Sequence, residues 1–459
     1  MGFKEEKDFL GTKQIPDDVL WGINSLRAKE NFPLSDYRHH RYFIMAFGYV
    51  KKACTMTIKD LGVRDDKKND AIIEACDALI SGELDSQIIV DPMQGGAGTS
   101  LNMNVNEVLA NYARQKTNEN IDPIEDVNLY QSTNDVYPTA LKIASIFLLH
   151  NLEKKVTELQ AAFEEKEKEF SDIVKVGRTQ LMDAVLITLG KEFSSYAEAV
   201  ARDRWRIYKC EERLRVVNIG GTAIGTGLNA PRKFIFGVIE HLRDLTNIGL
   251  ARAENLVENT QNWDVFAEVS GILKAHATNL IKISNDLRLL NSGPKAGLAE
   301  IILPPRQVGS SIMPGKVNPV IPEAAAQVGI KVLGNDVIIN QCISMGQLEL
   351  NQFAPLIAFS FLESLNLLTN ANEMLVQNCI KEIKANKEYI KATLDNSYAV
   401  LTALVPKLGY KKTAQIASEI EESSLNVRDY IIQNNILTEA EYDYLTSPEA
   451  VLALGYKDI

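Results

Sequence analysis

Apolar residues recur every three to four positions through most of this chain, the spacing of a buried helix face. From Thr139 to about Asp172, Leu149, Leu152, Val156, Leu159, Phe163 and Phe170 keep that step, with one gap at Lys166. Helix resumes near Gly190, where Phe193, Ala197, Val200, Ile207 and Leu214 carry the next stripe. A third seam runs through Val265, Val269, Ile272, His276, Ile283, Leu287 and Leu290 and is closed by Gly293-Pro294. Residues 320–350 and 355–384 predict two more long apolar helices, and residues 41–61 and 68–82 two shorter ones, the second ending at Gly82. Helices of five or more turns without intervening strands imply a bundle packed along its seams. Their stripes are broad enough to meet more than one neighbour, which points to an oligomer. The expected fold is therefore all-α: a central helical bundle over residues 139–386, an N-terminal domain over 1–138 and a small helical domain over 387–459. One short hairpin is expected, from Val19-Leu20-Trp21 and Gly22-Ile23-Asn24. Leu26–Phe32 reads as a surface turn, and the long helix is expected to open at Pro138. Near the C-terminus, Thr438 followed by Glu441 has the signature of a capped helix start.

Composition narrows the function. A chain of 459 residues exceeds one ordinary core, and 46% apolar with 24% charged residues is usual for a soluble protein. A net charge of −11 argues against nucleic acid and anionic membrane as partners, so any anion site must be locally positive. The five cysteines are odd in number and lack Cys-x-x-Cys spacing, which predicts reduced thiols in a cytoplasmic setting and no structural zinc. The charged opening Met1–Asp8 does not read as a secretory signal, and no run approaches the ~18 apolar residues of a membrane span.

The chemistry lies in four polar blocks bounded by glycine or proline. Gly309-Ser310-Ser311-Ile312-Met313-Pro314-Gly315-Lys316-Val317-Asn318-Pro319 has too many breakers for helix or strand; it predicts a mobile lid loop running into a helix after Pro319. Gln94–Ser100 holds three glycines able to approach a ligand closely, and leads into Asn102, Asn104 and Asn106-Glu107 at a helix start. It is not a phosphate-binding P-loop, since no Gly-Lys-Ser/Thr follows. Asn128 with Gln131-Ser132-Thr133-Asn134-Asp135 is a third block, and Gly177-Arg178-Thr179-Gln180 a fourth. Histidines offer little: His39 and His40 lie in a charged loop, His150 and His241 in ordinary helix, and His276 on a core stripe. Hydroxyls, amides, Lys316 and Arg178 are instead donors suited to a small polyanion and a developing oxyanion.

These blocks, in this order and over essentially the whole chain, resemble the aspartase/fumarase superfamily. The resemblance implies a homotetramer with a central helical bundle, each active site assembled from three subunits, and no organic cofactor or metal. It implies Ser310 as the general base that takes the Cβ proton. Thr99, Ser132, Thr133 and Ser311 would hold the β-carboxylate as it becomes an aci-carboxylate; Thr179, Lys316 and Asn318 would hold the α-carboxylate. Asn134, with Thr99 and Gln180, would receive the amino group. Fumarases carry histidine at position 180, working with a glutamate corresponding to Glu323. Glutamine cannot exchange a proton near neutrality, whereas ammonium leaves already protonated, so Gln180 and the pair Thr99-Ser100 favour reversible anti elimination of ammonia from L-aspartate. Hydration of fumarate, a lyase acting on a modified aspartate, and a non-catalytic protein that kept the fold are the alternatives. Leu186 and Lys191 depart from a common proline and glutamine, and the segment from Thr99 to Ser132 is shorter than usual, changes that bear on the amine pocket.

Overall fold

The computed structural model describes residues 2–456, and helices dominate it. At the N-terminus an antiparallel hairpin, β1 (Phe3–Asp8) and β2 (Gly11–Pro16), turns through Gly11 at φ 118°. The hairpin expected at Val19–Asn24 is thus displaced towards the N-terminus, and the supposed turn at 26–32 lies mostly in α1 (Ile23–Asn31). Tertiary contact decides this. The buried Glu107 carboxylate accepts the backbone N–H groups of Gly22, Asn24 and Ser25 at 2.7–3.0 Å, which caps the first turn of a helix otherwise lacking a side-chain cap.

The next elements follow expectation: α2 (Arg41–Asp60), then α3 (Asp66–Ser81), capped by Asp65 and stopped by Gly82 at φ 96°. After them come α4 (Thr99–Thr117) and the 37-residue α5 (Thr133–Glu169). Helix α5 begins at Thr133, ahead of Pro138. The proline has no N–H for the Asn134 carbonyl, and that carbonyl instead accepts Asn218 Nδ2 at 3.0 Å. The expected interruption after α5 is a hairpin of β3 (Val174–Thr179) and β4 (Met182–Thr188), missed because its strands are short and interrupted by polar residues. Helices α6 (Leu189–Leu214), α7 (Arg232–Thr246), α8 (Leu256–Gln261), α9 (Asp264–Leu290), α10 (Val320–Ser344) and α11 (Ala354–Asn378) follow. The short helices α12 (Lys387–Asn396), α13 (Ala399–Leu408), α14 (Tyr410–Glu421), α15 (Val427–Gln433), α16 (Glu439–Leu445) and α17 (Pro448–Val451) end the described chain. Helix α16 has the capping box read from the sequence, with Thr438 and Glu441 bonded reciprocally.

The chain divides into two compact units. The first holds the described residues up to Glu153 with Trp205–Ala277 and Lys331–Thr369; the second holds Lys154–Arg204, Thr278–Ile330 and the described residues from Asn370. In the first, Phe43, Phe47 and Tyr137 pack edge to face with centroids 5.0–5.9 Å apart. In the second, Val176 and Leu186 of the hairpin share a buried cluster with Leu401, Leu404, Ile416 and Ile431. Leu186, the departure noted in the sequence, is thus a core residue. No helix of the described residues is long and apolar enough to cross a membrane.

Candidate active site

In the first unit, two helix starts carry the polar blocks. Gly96, Ala97 and Gly98 all have positive φ, and Gly98 at φ 95° leads directly into α4. A Cβ on Gly98 would stand 2.2 Å from the Tyr137 ring, so this turn needs glycine both for its dihedrals and for its packing. It leaves Thr99 exposed at the first helical position. Gly98→Ala is expected to cost roughly 2 kcal/mol through overpacking and the left-handed dihedral; a lower melting temperature together with reduced turnover checks it.

Of the asparagines that follow, Asn104 is structural, accepting Ile89 N–H and donating to the Gln87 carbonyl. Asn102 Nδ2 donates to Thr133 Oγ1 at 3.2 Å, joining the two blocks. Helix α5 starts with a reciprocal cap: Ser132 Oγ accepts Asn134 N–H, and Asp135 Oδ1 accepts Ser132 N–H. The other Asp135 oxygen accepts the N–H groups of Gly220 at 3.1 Å and Thr222 at 2.9 Å. Asp135 is fully buried; burial pushes its carboxyl up to about 7, against the backbone N–H groups that favour the anion. Asn134 Nδ2 donates to the Ala223 carbonyl at 2.7 Å. The glycine-rich stretch at 220–227, seen in the sequence only as a permissive turn, is therefore pinned beside this block by Asp135 and Asn134.

In the second unit, Thr179 and Gln180 form the exposed tip of the β3–β4 hairpin. Gln180 and Leu181 have φ of 54° and 64°, the left-handed pair of a tight two-residue turn, which costs roughly 1–2 kcal/mol per residue for side chains of this kind. Gly177 sits at the register shift below the tip; its Cβ would meet the Val185 carbonyl at 2.7 Å. Arg178 is a correction to the sequence reading. Its guanidinium is committed to the buried Glu300, Nη1 to Oε1 at 2.6 Å, and is not a free anion donor. Glu300 also pairs with Lys175 at 2.6 Å, and Lys175 with Glu192 at 2.8 Å.

The loop at 309–319 closes on itself. Gly309 N–H donates to the Lys316 carbonyl, and Asn318 Nδ2 donates to the Gly309 carbonyl, each at 2.8 Å. A Cβ on Gly309 would stand 2.8 Å from Lys316 O and Asn318 N, so only glycine fits the neck. Ser310 Oγ accepts the N–H groups of Ile312 at 3.2 Å and Met313 at 2.9 Å. Two backbone donors on one hydroxyl oxygen are the arrangement that favours its alkoxide. Ser311 and Lys316 are exposed, and Lys316 has no carboxylate partner among the described residues. Asn318 spends one amide hydrogen on the neck and keeps the other.

Thr99, Ser132, Thr133 and Asn134 thus belong to the first unit; Thr179, Gln180, Ser310, Ser311, Lys316 and Asn318 belong to the second. Within the first set Asn102 bonds Thr133, and Ser132 bonds Asn134. Among the histidines, His40 Nδ1 accepts Tyr42 N–H, while His150 and His241 face Glu211 and Asp60. Among the described residues no three His, Cys, Asp or Glu side chains are grouped to hold a metal ion. Sequence reasoning gave Asp135 no role of its own within its block and did not single out Glu300, because the burial that sets both apart is not visible along the chain.

Residues 11–334 match the lyase family, and residues 400–453 match the fumarase C C-terminus family. Aspartate ammonia-lyase of Bacillus subtilis (strain 168) is 45% identical over 97% of this chain and 95% of its own length. That of Helicobacter pylori (strain 26695) is 45% identical over 98% and 97%. Among solved structures, fumarate lyase:delta crystallin from Brucella melitensis bound to cobalt superposes with a TM-score of 0.93 at 42% identity, covering 99% of this chain and all (100%) of that one. Class II fumarase from Schistosoma mansoni gives a TM-score of 0.91 at 30% identity, with coverage of 99% and 100%.

Proposed function

The chain belongs to the aspartase/fumarase superfamily of lyases, and from that membership we infer that it is a carbon–nitrogen lyase converting L-aspartate reversibly to fumarate and ammonium. The observation that carries this is its 43–45% identity, along nearly the whole chain, to proteins that are aspartate ammonia-lyases. Gln180 agrees with it, since an amide supplies no proton for a hydroxide leaving group.

The residues divide the work as follows. The Ser310 alkoxide removes the Cβ proton; the electron pair moves into the β-carboxylate, giving an aci-carboxylate with two negative charges. Thr99, Ser132, Thr133 and Ser311 donate to that group. Thr179, Lys316 and Asn318 hold the α-carboxylate, while Asn134 and Gln180 face the amine with Thr99. The bond from Cα to the protonated amine then breaks and ammonia leaves without a general acid; it becomes ammonium by taking up, directly or through solvent, the proton that Ser310 removed, and the step needs no organic cofactor. Support for the base comes from the two N–H groups already on Ser310 Oγ.

A homotetramer with sites shared by three subunits fits the scatter of these residues. Helix α10 supports assembly: Ile330 and Val337 are 61% and 67% exposed on a face that also carries Ile338, while Ala325, Val332 and Ile339 fill its other side. A helix apolar all round is buried in a larger core, and Gly334 has open space at its Cβ that a second helix could enter. Five buried thiols fit a reducing, cytoplasmic location.

The test is a side-by-side ultraviolet assay with purified protein. Fumarate and equimolar ammonium are expected from L-aspartate, with no comparable signal from malate. Fumarate from malate alone would make the chain a hydratase; absence of fumarate from aspartate would sink the reading.

A further inference from the structure

Beneath the Ser132–Asn134 block lies a cation that the proposed chemistry does not use. Lys51, on α2, is fully buried and forms no ion pair among the described residues. Its Nζ donates to Asn128 Oδ1 at 2.9 Å and Gln131 Oε1 at 3.0 Å. The Asn128 oxygen also accepts Asn102 Nδ2 and Asn106 Nδ2, each at 3.2 Å. Three donors, one of them cationic, converge on a single oxygen. That is a donor-rich setting for one oxygen, and the amide that supplies it donates its own Nδ2 hydrogen to the Gln131 carbonyl at 3.2 Å. The buried Lys175 makes the contrast, since two carboxylates meet it at 2.6 and 2.8 Å. The acid that bears on Lys51 at longer range, Asp135, is already held by three backbone N–H groups.

The network ends on the site. Asn102 Nδ2 reaches both Asn128 and Thr133 Oγ1. A hydroxyl that accepts from an amide N–H is left with its own proton to donate elsewhere.

We infer that Lys51 is a positioning residue: its unmatched buried charge attracts a dicarboxylate to the Ser132–Asn134 block, and through Asn128 and Asn102 it fixes the Thr133 hydroxyl as a donor to the substrate carboxylate. This rests on the assignment of that block to carboxylate binding. A charge in a low-dielectric interior acts beyond its hydrogen-bonding neighbours, and its pull strengthens as the aci-carboxylate gains a second charge. Asn128 is what keeps the charge available.

The groups around the amine are Cys54 on its own helix, Cys76 on α3 and Asp135 on α5. Burial pulls the amine down to about 8, against the effect of those neighbours. Lys51 therefore loses its charge as pH rises through that value.

Fumarate is the probe, because both its carboxylates stay ionised from about pH 7 to about pH 9.5. In the unmodified protein its equilibrium affinity is expected to fall about tenfold across that range. Asn128→Asp supplies the missing partner. It is expected to remain folded, to bind fumarate about tenfold more weakly at pH 7, and to keep only the part of the pH dependence that comes from Asp135, whose carboxyl also titrates at about 7. Lys51→Met is expected to show the same weak binding with the same loss of pH dependence, and kcat lowered more than the affinity. A folded Asn128→Asp protein with affinity within about twofold of the unmodified one, or flat binding in the unmodified protein, overturns the inference while leaving the proposed reaction standing. If the unmodified protein binds no fumarate and forms none from aspartate, the reaction and the inference fall together.

Discussion

Ser310→Ala is expected to lower turnover of L-aspartate about a thousandfold or more, with the melting temperature nearly unchanged. The hydroxyl is the only group of that side chain able to take a proton, and methyl leaves nothing in its place. Its structural contribution is small: two N–H contacts from Ile312 and Met313 in a solvent-facing loop, worth about 1 kcal/mol or less. The loop neck does not depend on it, since Gly309–Lys316 and Asn318–Gly309 close that neck without Ser310. Steady-state assay and thermal unfolding, run on the same preparation, separate the two roles. Retained turnover would place the base elsewhere, and a large drop in melting temperature would make the loop structural.

Glu300→Ala is expected to destabilise the protein by about 3 kcal/mol, the lower end for breaking a buried ion pair. Glu300 and Lys175 are 1% and 2% exposed, and Arg178 is 15% exposed. Removing the carboxylate leaves two cations with only Glu192 for Lys175 and nothing equivalent for Arg178. Arg178 directly precedes Thr179 and Gln180, whose turn holds two residues at positive φ, so a strained tip would lose the anchor beside it. Glu300 also bonds through its backbone, from its N–H to Leu290 and from Asn386 to its carbonyl, each at 2.9 Å, and those contacts survive the substitution. The urea midpoint should fall, and KM for ammonium in the reverse reaction should rise more than KM for fumarate. Unchanged kinetics in a destabilised protein would confine Glu300 to folding.

Much of the candidate site was proposed from the chain alone because its residues come in short polar blocks bounded by breakers. Gly309, Gly315 and Pro319 announced a loop, and the structure closes that loop through Gly309 and Asn318. Roles that depend on a distant partner were not legible. Arg178 read as an anion donor until Glu300, far along the chain, was seen to occupy it. Asp135 looked like one more polar residue beside Asn134, yet it ties the start of α5 to the turn at 220–222. The displaced N-terminal hairpin has the same origin, since Glu107 decides that residues 22–25 open a helix.

Periodicity alone determined the helical class, the seams of the long helices and the polar blocks between them, because a helix face and a breaker are local properties of the chain. Tertiary structure decided which polar groups face one another. Pro138 sits inside α5 because Asn218 takes over the carbonyl it leaves free, and the tight turn at Gln180 stands on a buried ion-pair network. Lys51 gave no sign in the sequence: only burial without a counter-ion, beside an asparagine oxygen that gathers three donors, sets it apart from Lys52 next to it. Buried charge depends on what the fold removes from water, and no local pattern records that.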